Sequence, residues 1–538
     1  MQNEGGETPL HVASLNGHLS VVQLLVEHGT SLDTQDKDGE TPLHVASANG
    51  HLSVVQLLIG GGTSLDTQDK DGNTPLHIAL WQDHLSVIQL LVERGASLDM
   101  QNKGGETLLH IASQIGHLSV VQLLVERGAS LDPQDKDGKT PLHLALWYGY
   151  LDVVQLILDC GASLEMQNKY GRTPLHIASW SGHVVQLLVE SSASINTQDK
   201  YGETPLHIAS RKGHLNVVQL LVEHSASLDM HDKYGRTPLH GASQMGYYNI
   251  AQLLVDHHAC LDPQNEDGRT LLHNASWKDH IDVVHLLIDH DAPLNLQDKY
   301  YMTPLHIAAQ KGHINIVQLL VDHGASLDMQ DKHGRTALHN ALWNDQLNVV
   351  QLLVDSGAFI DTQDKDGETP LHGSSREGHI NAVQLLVDSG ASLNTQDEDG
   401  ETPLHSSSRE GHLDIVQLFV DRGASLDMQD NYGRTPLHNA LWNGHLTIVQ
   451  LLVDRGASLH TKDKYGMTLL HKALWKDDLD VVQLLLAGGA SLDMQDEDGE
   501  TPLHVASQKG HLSVVQLLVD RSTCHNTQDG GGIHVALL

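Results

Sequence analysis

A four-residue phrase, Thr-Pro-Leu-His or a close variant, begins at Thr8, Thr41, Thr74, Thr107, Thr140 and Thr173. It then returns at Thr204 and every 33 residues onward to Thr501. A chain that restates itself at a period of roughly 20–50 residues stacks small units side by side and does not close into one globule. Sixteen returns within 538 residues leave no stretch rich in Pro, Ser or Gly between them. The expected architecture is therefore all-α, a single solenoid over 1–538 with about sixteen helix-turn-helix units and hairpin-like tips. One interval is irregular, the 31 residues from Thr173 to Thr204.

The unit can be derived from residues 69–101. Asp71-Gly72 is a turn pair, with Gly supplying the positive φ that tight turns require. Thr74 suits a helix N-cap, and Pro75 suits the first helical position, where a missing N–H is no loss. Leu76 and Ala79 then share one face. After a break at Asp83-His84, a second helix places Val87, Leu90 and Leu91 at i, i+3 and i+4, and Gly95 is placed to cap it. Neither helix is stable alone, so each must bury its apolar face against the next unit. With only two Phe in the chain, that shared core is Leu, Val, Ile and Ala.

Thr-Pro-Leu-His-x-Ala, Gly-His-x-x-Val-Val-x-Leu-Leu and Gly-Ala-Ser-Leu together closely resemble the ankyrin repeat. The resemblance covers essentially the whole chain: all sixteen tetrads keep His and twelve keep Pro. It implies a protein-binding scaffold without catalysis of its own, contacting partners through the tips and the concave surface lined by first helices. It also implies that the tetrad imidazole ties the Thr hydroxyl to neighbouring loops. Members of a histidine row lie about 10 Å apart, too far to share zinc at ~2 Å per bond. No phosphate loop or nucleophile–base set is found, so no enzyme, cofactor or metal is expected.

The charge, 68 Asp plus Glu against 32 Lys plus Arg, or −36, repels phosphate backbones and favours proteins with basic surfaces as partners. No apolar run is long enough for membrane insertion, and residues 1–7 have neither the basic nor the apolar region of a signal peptide, so none is expected. Cys160, Cys260 and Cys524 lie too far apart in the stack to pair. An intracellular, cytoplasmic setting is expected; the oligomeric state is left open. Both ends look unfinished, which suits a fragment of a larger protein.

All seven tryptophans occupy one repeat position: Trp81, Trp147, Trp180, Trp277, Trp343, Trp442 and Trp475. Seven other repeats carry Gln or Arg there, so the position faces solvent, and the resemblance puts it on the contact surface. Two readings stay open: the row meets a partner, or each Trp packs on its neighbour, as Leu at the preceding position in five repeats would suit. Adjacent pairs, Trp147 with Trp180 and Trp442 with Trp475 (the latter near Asp477 and Asp478), raise the idea of a cage for methyl-lysine or a basic peptide. In the tips, Tyr170, Arg172, Tyr201, Tyr234 and Arg236 are contact-prone residues on exposed loops. A regulatory subunit of a phosphatase-type complex is the alternative function. Asn196, Asn295, Asn394 and Asn526 resemble ankyrin sites of asparaginyl hydroxylase.

Regular repeats are expected over 7–172 and 303–525, a degenerate partial repeat over 526–538, and a softer, hinge-like stretch over 173–302. In that stretch repeat six lacks two residues, Ser192, Ser225, His258 and Asp291 replace the capping Gly, and Tyr301 replaces the turn Gly.

Overall fold

The computed structural model describes residues 2–476 and 478–526. Among them are 32 helices and no strand, with one isolated bridge between Lys462 and Thr468. Two compact units divide the chain, Met1–Glu266 and Asp267–Leu538. Each consists of consecutive helix pairs. Within a unit the first helices pack in one row and the second helices in another.

The tetrad starts the first helix for reasons its chemistry supplies. In the third repeat Thr74 is the N-cap of Pro75–Trp81, and Pro75 stands at the first position. His77 closes a capping box: its Nδ1 accepts the Thr74 backbone N–H at 3.2 Å and lies 2.8 Å from the Thr74 hydroxyl. Imidazole thus does what Glu or Gln does in the usual box. Leu76, Ala79 and Leu80 are fully buried.

The second helix, Leu85–Glu93, buries Val87, Ile88 and Leu91. Leu90, expected in the stripe, is only half-buried. The helix packs on its own first helix and on the second helices of both neighbours, Leu52–Gly60 and Leu118–Glu126. That widens the buried sector towards Ile88 and leaves Leu90 at its rim. Each fully buried Leu or Ile contributes about 1.5–3 kcal/mol.

Tips are tied to one another. Asp69 Oδ1 accepts the backbone N–H of Asp71 and of Asn73 at 2.9 and 2.7 Å, which shapes the turn. Lys70 N–H donates to Asp38 in the preceding tip at 2.8 Å, and Gln35 Nε2 donates forward to the Gln68 carbonyl at 2.9 Å. Gly72 has φ 81°, and a Cβ there would stand 2.8 Å from Lys103 N. Glycine is needed both for the conformation and for the approach of the next tip.

Repeat six departs from this pattern. Its second helix, Val185–Glu190, has six residues where Leu151–Asp159 has nine, and its N-cap Val184 is left-handed at φ 64°. Within the second-helix row of its unit, packing is thinnest where these two helices meet. The expected cap substitutions do hold the left-handed conformation, at φ 69°, 66°, 65° and 62° for Ser192, Ser225, His258 and Asp291, and 58° for Tyr301. Of nine non-glycine residues with positive φ among the described residues, seven fall within 173–302.

Candidate partner-binding surface

The tetrad histidines are committed to the framework. Because Nδ1 accepts the Thr N–H, the proton must be on Nε2, which in most repeats donates to a carbonyl in the next tip, while His77 and His438 have no acceptor there. His11 reaches Glu40 at 3.0 Å, His143 reaches Arg172 at 3.0 Å and His372 reaches Glu401 at 3.1 Å. Burial pushes His77, His143, His273 and His339 down to about 4, so they are neutral near pH 7. A second row follows the inter-helix turn and points backwards. His51 donates to Leu15 at 2.9 Å and His84 to Ala48 at 3.0 Å. No group of three or more His, Cys, Asp or Glu among the described residues could hold a metal ion.

The Trp row stands at the C-terminal ends of first helices. Six of its members are 38–56 % exposed (Trp81, Trp147, Trp277, Trp343, Trp442 and Trp475), and Trp180 is half-buried. The residue before each is the packing one: Leu80, Leu146, Leu342, Leu441 and Leu474 are all buried. Ring faces of six of the seven, all but Trp81, are engaged within the chain. Trp147 stacks on Trp180, with centroids 6.4 Å apart and planes at 23°. Lys212 lies 3.4 Å from the Trp180 centroid, Lys311 4.0 Å from Trp277, Lys476 5.1 Å from Trp442 and Lys509 3.6 Å from Trp475. Arg335 covers Trp343 at 4.7 Å. This arrangement argues against the methyl-lysine cage: one Trp pair is stacked on itself and the other is capped by the chain's own cations. Asp477, invoked for that cage, lies outside the described residues.

The tips repeat the theme. Tyr170, Tyr201 and Tyr234 are exposed, yet Lys169 lies 5.0 Å from the Tyr170 ring, and Lys233 lies 4.4 and 5.0 Å from Tyr201 and Tyr234. Arg172 pairs with the buried Asp199 at 3.1 Å and with Glu203 at 3.5 Å, while Arg236 pairs with Asp232 at 2.6 Å. The Asp232 carboxyl is held below its usual range despite burial, by hydrogen bonds from Arg236 and from backbone N–H groups. These arginines order the tips as well as line them. Asn196, Asn295 and Asn394 accept the backbone N–H of Ser227, Ser326 and Ser425 at 2.9, 2.9 and 2.8 Å. The side chains of Asn526 and Cys524 lie outside the described residues; Cys160 and Cys260 are free and exposed.

Two sets of residues were missed in the sequence. The capping lysines carried a legible signal, since Lys212, Lys311, Lys476 and Lys509 each follow the Trp position of the repeat after a Trp. The other set is a row of exposed aliphatics opening the second helices, including Leu52, Leu85, Leu118, Leu151, Leu413 and Leu446. The Leu-x-Val-Val pattern disguises them as core.

A family model described as ankyrin repeats (3 copies) matches ten overlapping segments, from 10–102 to 455–529, without a gap. The chain belongs to the ankyrin-repeat family, whose members are generally protein–protein interaction modules and typically non-catalytic. Among solved structures it is similar to the ankyrin repeat domain of Bcl-3, a unique member of the IkappaB protein family. That similarity has 32 % identity, covers 40 % of this chain and 98 % of the other, and has a TM-score of 0.38. No curated protein matches the chain. No helix among the described residues is long and apolar enough to cross a membrane.

Proposed function

We propose that the chain is a non-enzymatic scaffold whose protein partners seat on the Trp-bearing ends of the first helices and on the Tyr/Arg tips. The observation that carries this is the exposure of six tryptophans at one repeat position, with a buried residue immediately before each. Large aromatic area in regular array, beside arginine, is what interface hot spots are built from. Lysines over Trp277, Trp442 and Trp475 restrain those indoles and so reduce the ordering lost on binding. Charge sets the partner class: at −36, basic segments are drawn in and nucleic acid is repelled. The exposed, unpaired Cys160 and Cys260 fit a reducing, intracellular compartment.

The test is affinity capture with the native chain beside one carrying Trp→Gln at all seven positions, the residue other repeats use there. Loss of the captured proteins supports the reading, and an unchanged set removes the Trp row from it. Phosphatase activity captured by the native chain would shift the role to a regulatory subunit.

A further inference from the structure

One repeat position, directly after the tetrad His, holds apolar, small or Asn residues in fifteen repeats, such as Val12, Leu144, Gly373 and Asn439. In the fifteenth repeat alone it is a charged residue, Lys472. The Lys472 side chain is 11 % exposed and pairs with the buried Asp463 at 2.6 Å. This pair itself lines a cavity of about 280 Å³ within the Asp267–Leu538 unit, whose other walls are Tyr432, Trp442 and Tyr465 with Arg434, Lys464 and His438. Its size approaches that of ordinary small-ligand clefts, ~300–1,000 Å³.

Its chemistry selects the ligand. His438 is buried, and its Nδ1 accepts the Thr435 N–H at 3.2 Å, so the proton is on Nε2. The tetrad histidines on either side, His405 and His471, each give that proton to a carbonyl at 3.0 Å. The His438 Nε2–H has no acceptor, a condition it shares with His77, but only His438 lines this cavity, and an unmatched buried donor is unfavourable. Two of the three cations are neutralised, Arg434 by Asp430 at 2.7 Å and Lys472 by Asp463. Lys464 has no carboxylate partner among the described residues; it stands 3.9 Å from the Tyr432 centroid and 5.1 Å from that of Tyr465. The cavity thus combines one uncompensated positive charge, one unfilled donor and flat aromatic walls. A cation would meet Lys464, and a purely apolar guest would leave His438 unmatched.

We propose that this cavity binds an aromatic carboxylate. The carboxylate accepts from His438 Nε2 and Lys464, and the ring packs against the parts of Tyr432, Trp442 and Tyr465 that the chain's own cations leave open. The group comes either from a free aromatic acid or from the C-terminal aromatic residue of a peptide. The site stands apart from the scaffold reading, and either can fail alone.

The test titrates the full chain calorimetrically with 4-hydroxybenzoate, with a heptapeptide ending in phenylalanine, with the same peptide amidated, and with benzyltrimethylammonium. Saturable millimolar or tighter binding of one of the two carboxylates is expected, and which of them binds identifies the source. The amidated peptide and the ammonium should bind at least ten-fold more weakly. Lys464→Glu and Lys472→Asn install residues the array already carries at those positions (Glu497 and Asn439), so both should fold, and each should weaken the carboxylate at least ten-fold. Three outcomes would overturn the site: no carboxylate binding at about 5 mM, binding indifferent to Lys464→Glu, or tighter binding of the ammonium.

Discussion

Repeats five and six are neighbours built from nearly the same words, yet they solve the second helix differently. Repeat five uses Gly149 and Gly161 at φ 80° and 91° on either side of a nine-residue helix. Repeat six, two residues shorter, keeps Gly182 at φ 79° but adds Val184 at 64° and puts Ser192 at 69° after a six-residue helix. Both keep the Thr–His box and the forward bond from it: His143 to Arg172 and His176 to Glu203, each at 3.0 Å. The first helix and its inter-repeat bond therefore survive a deletion that the second helix absorbs as backbone strain. A non-glycine residue in the left-handed region costs roughly 1–2 kcal/mol, and a β-branched one such as Val184 lies at the unfavourable end.

Acid should erase this contrast, and it is the largest effect expected. His143 and His176 are both held at about 4 by burial, as are His77, His273 and His339, while His438 is held at about 3. A folded value below the ordinary 6.5 means the contribution is whole above pH 6.5. It is lost as pH falls through 6.5 towards 4, because only the unfolded chain takes up the proton. Each such imidazole removes about 1.4 kcal/mol per pH unit in that window. Thermal unfolding followed by circular dichroism should show a steep fall in midpoint between pH 6.5 and 5; a flat profile would break the account of the tetrad.

Glycine at the strained positions should narrow the contrast. Val184→Gly and Ser192→Gly are each expected to stabilise by about 1 kcal/mol, and reinserting Leu-Ser after His183 should lengthen the helix. Before these changes, hydrogen exchange in 173–302 should outpace that in 41–172; after them the gap should narrow around repeat six. Equal exchange at the outset would remove the softer segment.

The smallest effect serves as a control outside both repeats. Asp397, in a tip with Asp399 and Glu401, is raised to about 6, chiefly by burial and then by its acidic neighbours. Its neutral form supports the fold below the ordinary 3.8, and that support is lost as pH rises through about 6. Asp397→Asn should therefore stabilise by about 1 kcal/mol at pH 7 and by much less at pH 5. Asn102 and Asn168 already fill this position and make the same turn bonds. A gain independent of pH would assign the effect to something other than charge.

Most of the fold was legible because one alphabet is repeated sixteen times. Thr74, Pro75, Gly72 and Gly95 each declare a conformation by their own stereochemistry, and the missing pair in repeat six declares itself by count. The surface was half legible. Exposure of the Trp position followed from the Gln and Arg that replace it, and the burial of Leu80 or Leu146 fits the residue beside it. What covers the rings was not foreseen, because Lys212 and Trp180 are 32 residues apart and meet only through stacking. The cavity at His438 was hidden for a related reason. It depends on an acceptor that one histidine lacks while those of the flanking repeats have theirs, a difference of atoms within an unchanged tetrad.

The tip-to-tip bonds have a consequence for how such a chain can change length. Each tip offers the same carbonyl to its successor and the same N–H to its predecessor, as in Lys70 to Asp38 and Lys103 to Asp71. Two residues before that lysine, a glutamine side chain donates the other way, to the next tip, as in Gln35 to Gln68 and Gln68 to Gln101. Within each compact unit the main-chain bond recurs from tip to tip, while side-chain pairs such as Arg172 with Asp199 are particular to the repeats that meet. The main-chain part of a seam is common to the units, so copying a unit carries that part of its joint with it, whereas a loss of fewer than 33 residues, as in repeat six, leaves a lasting mark on the backbone.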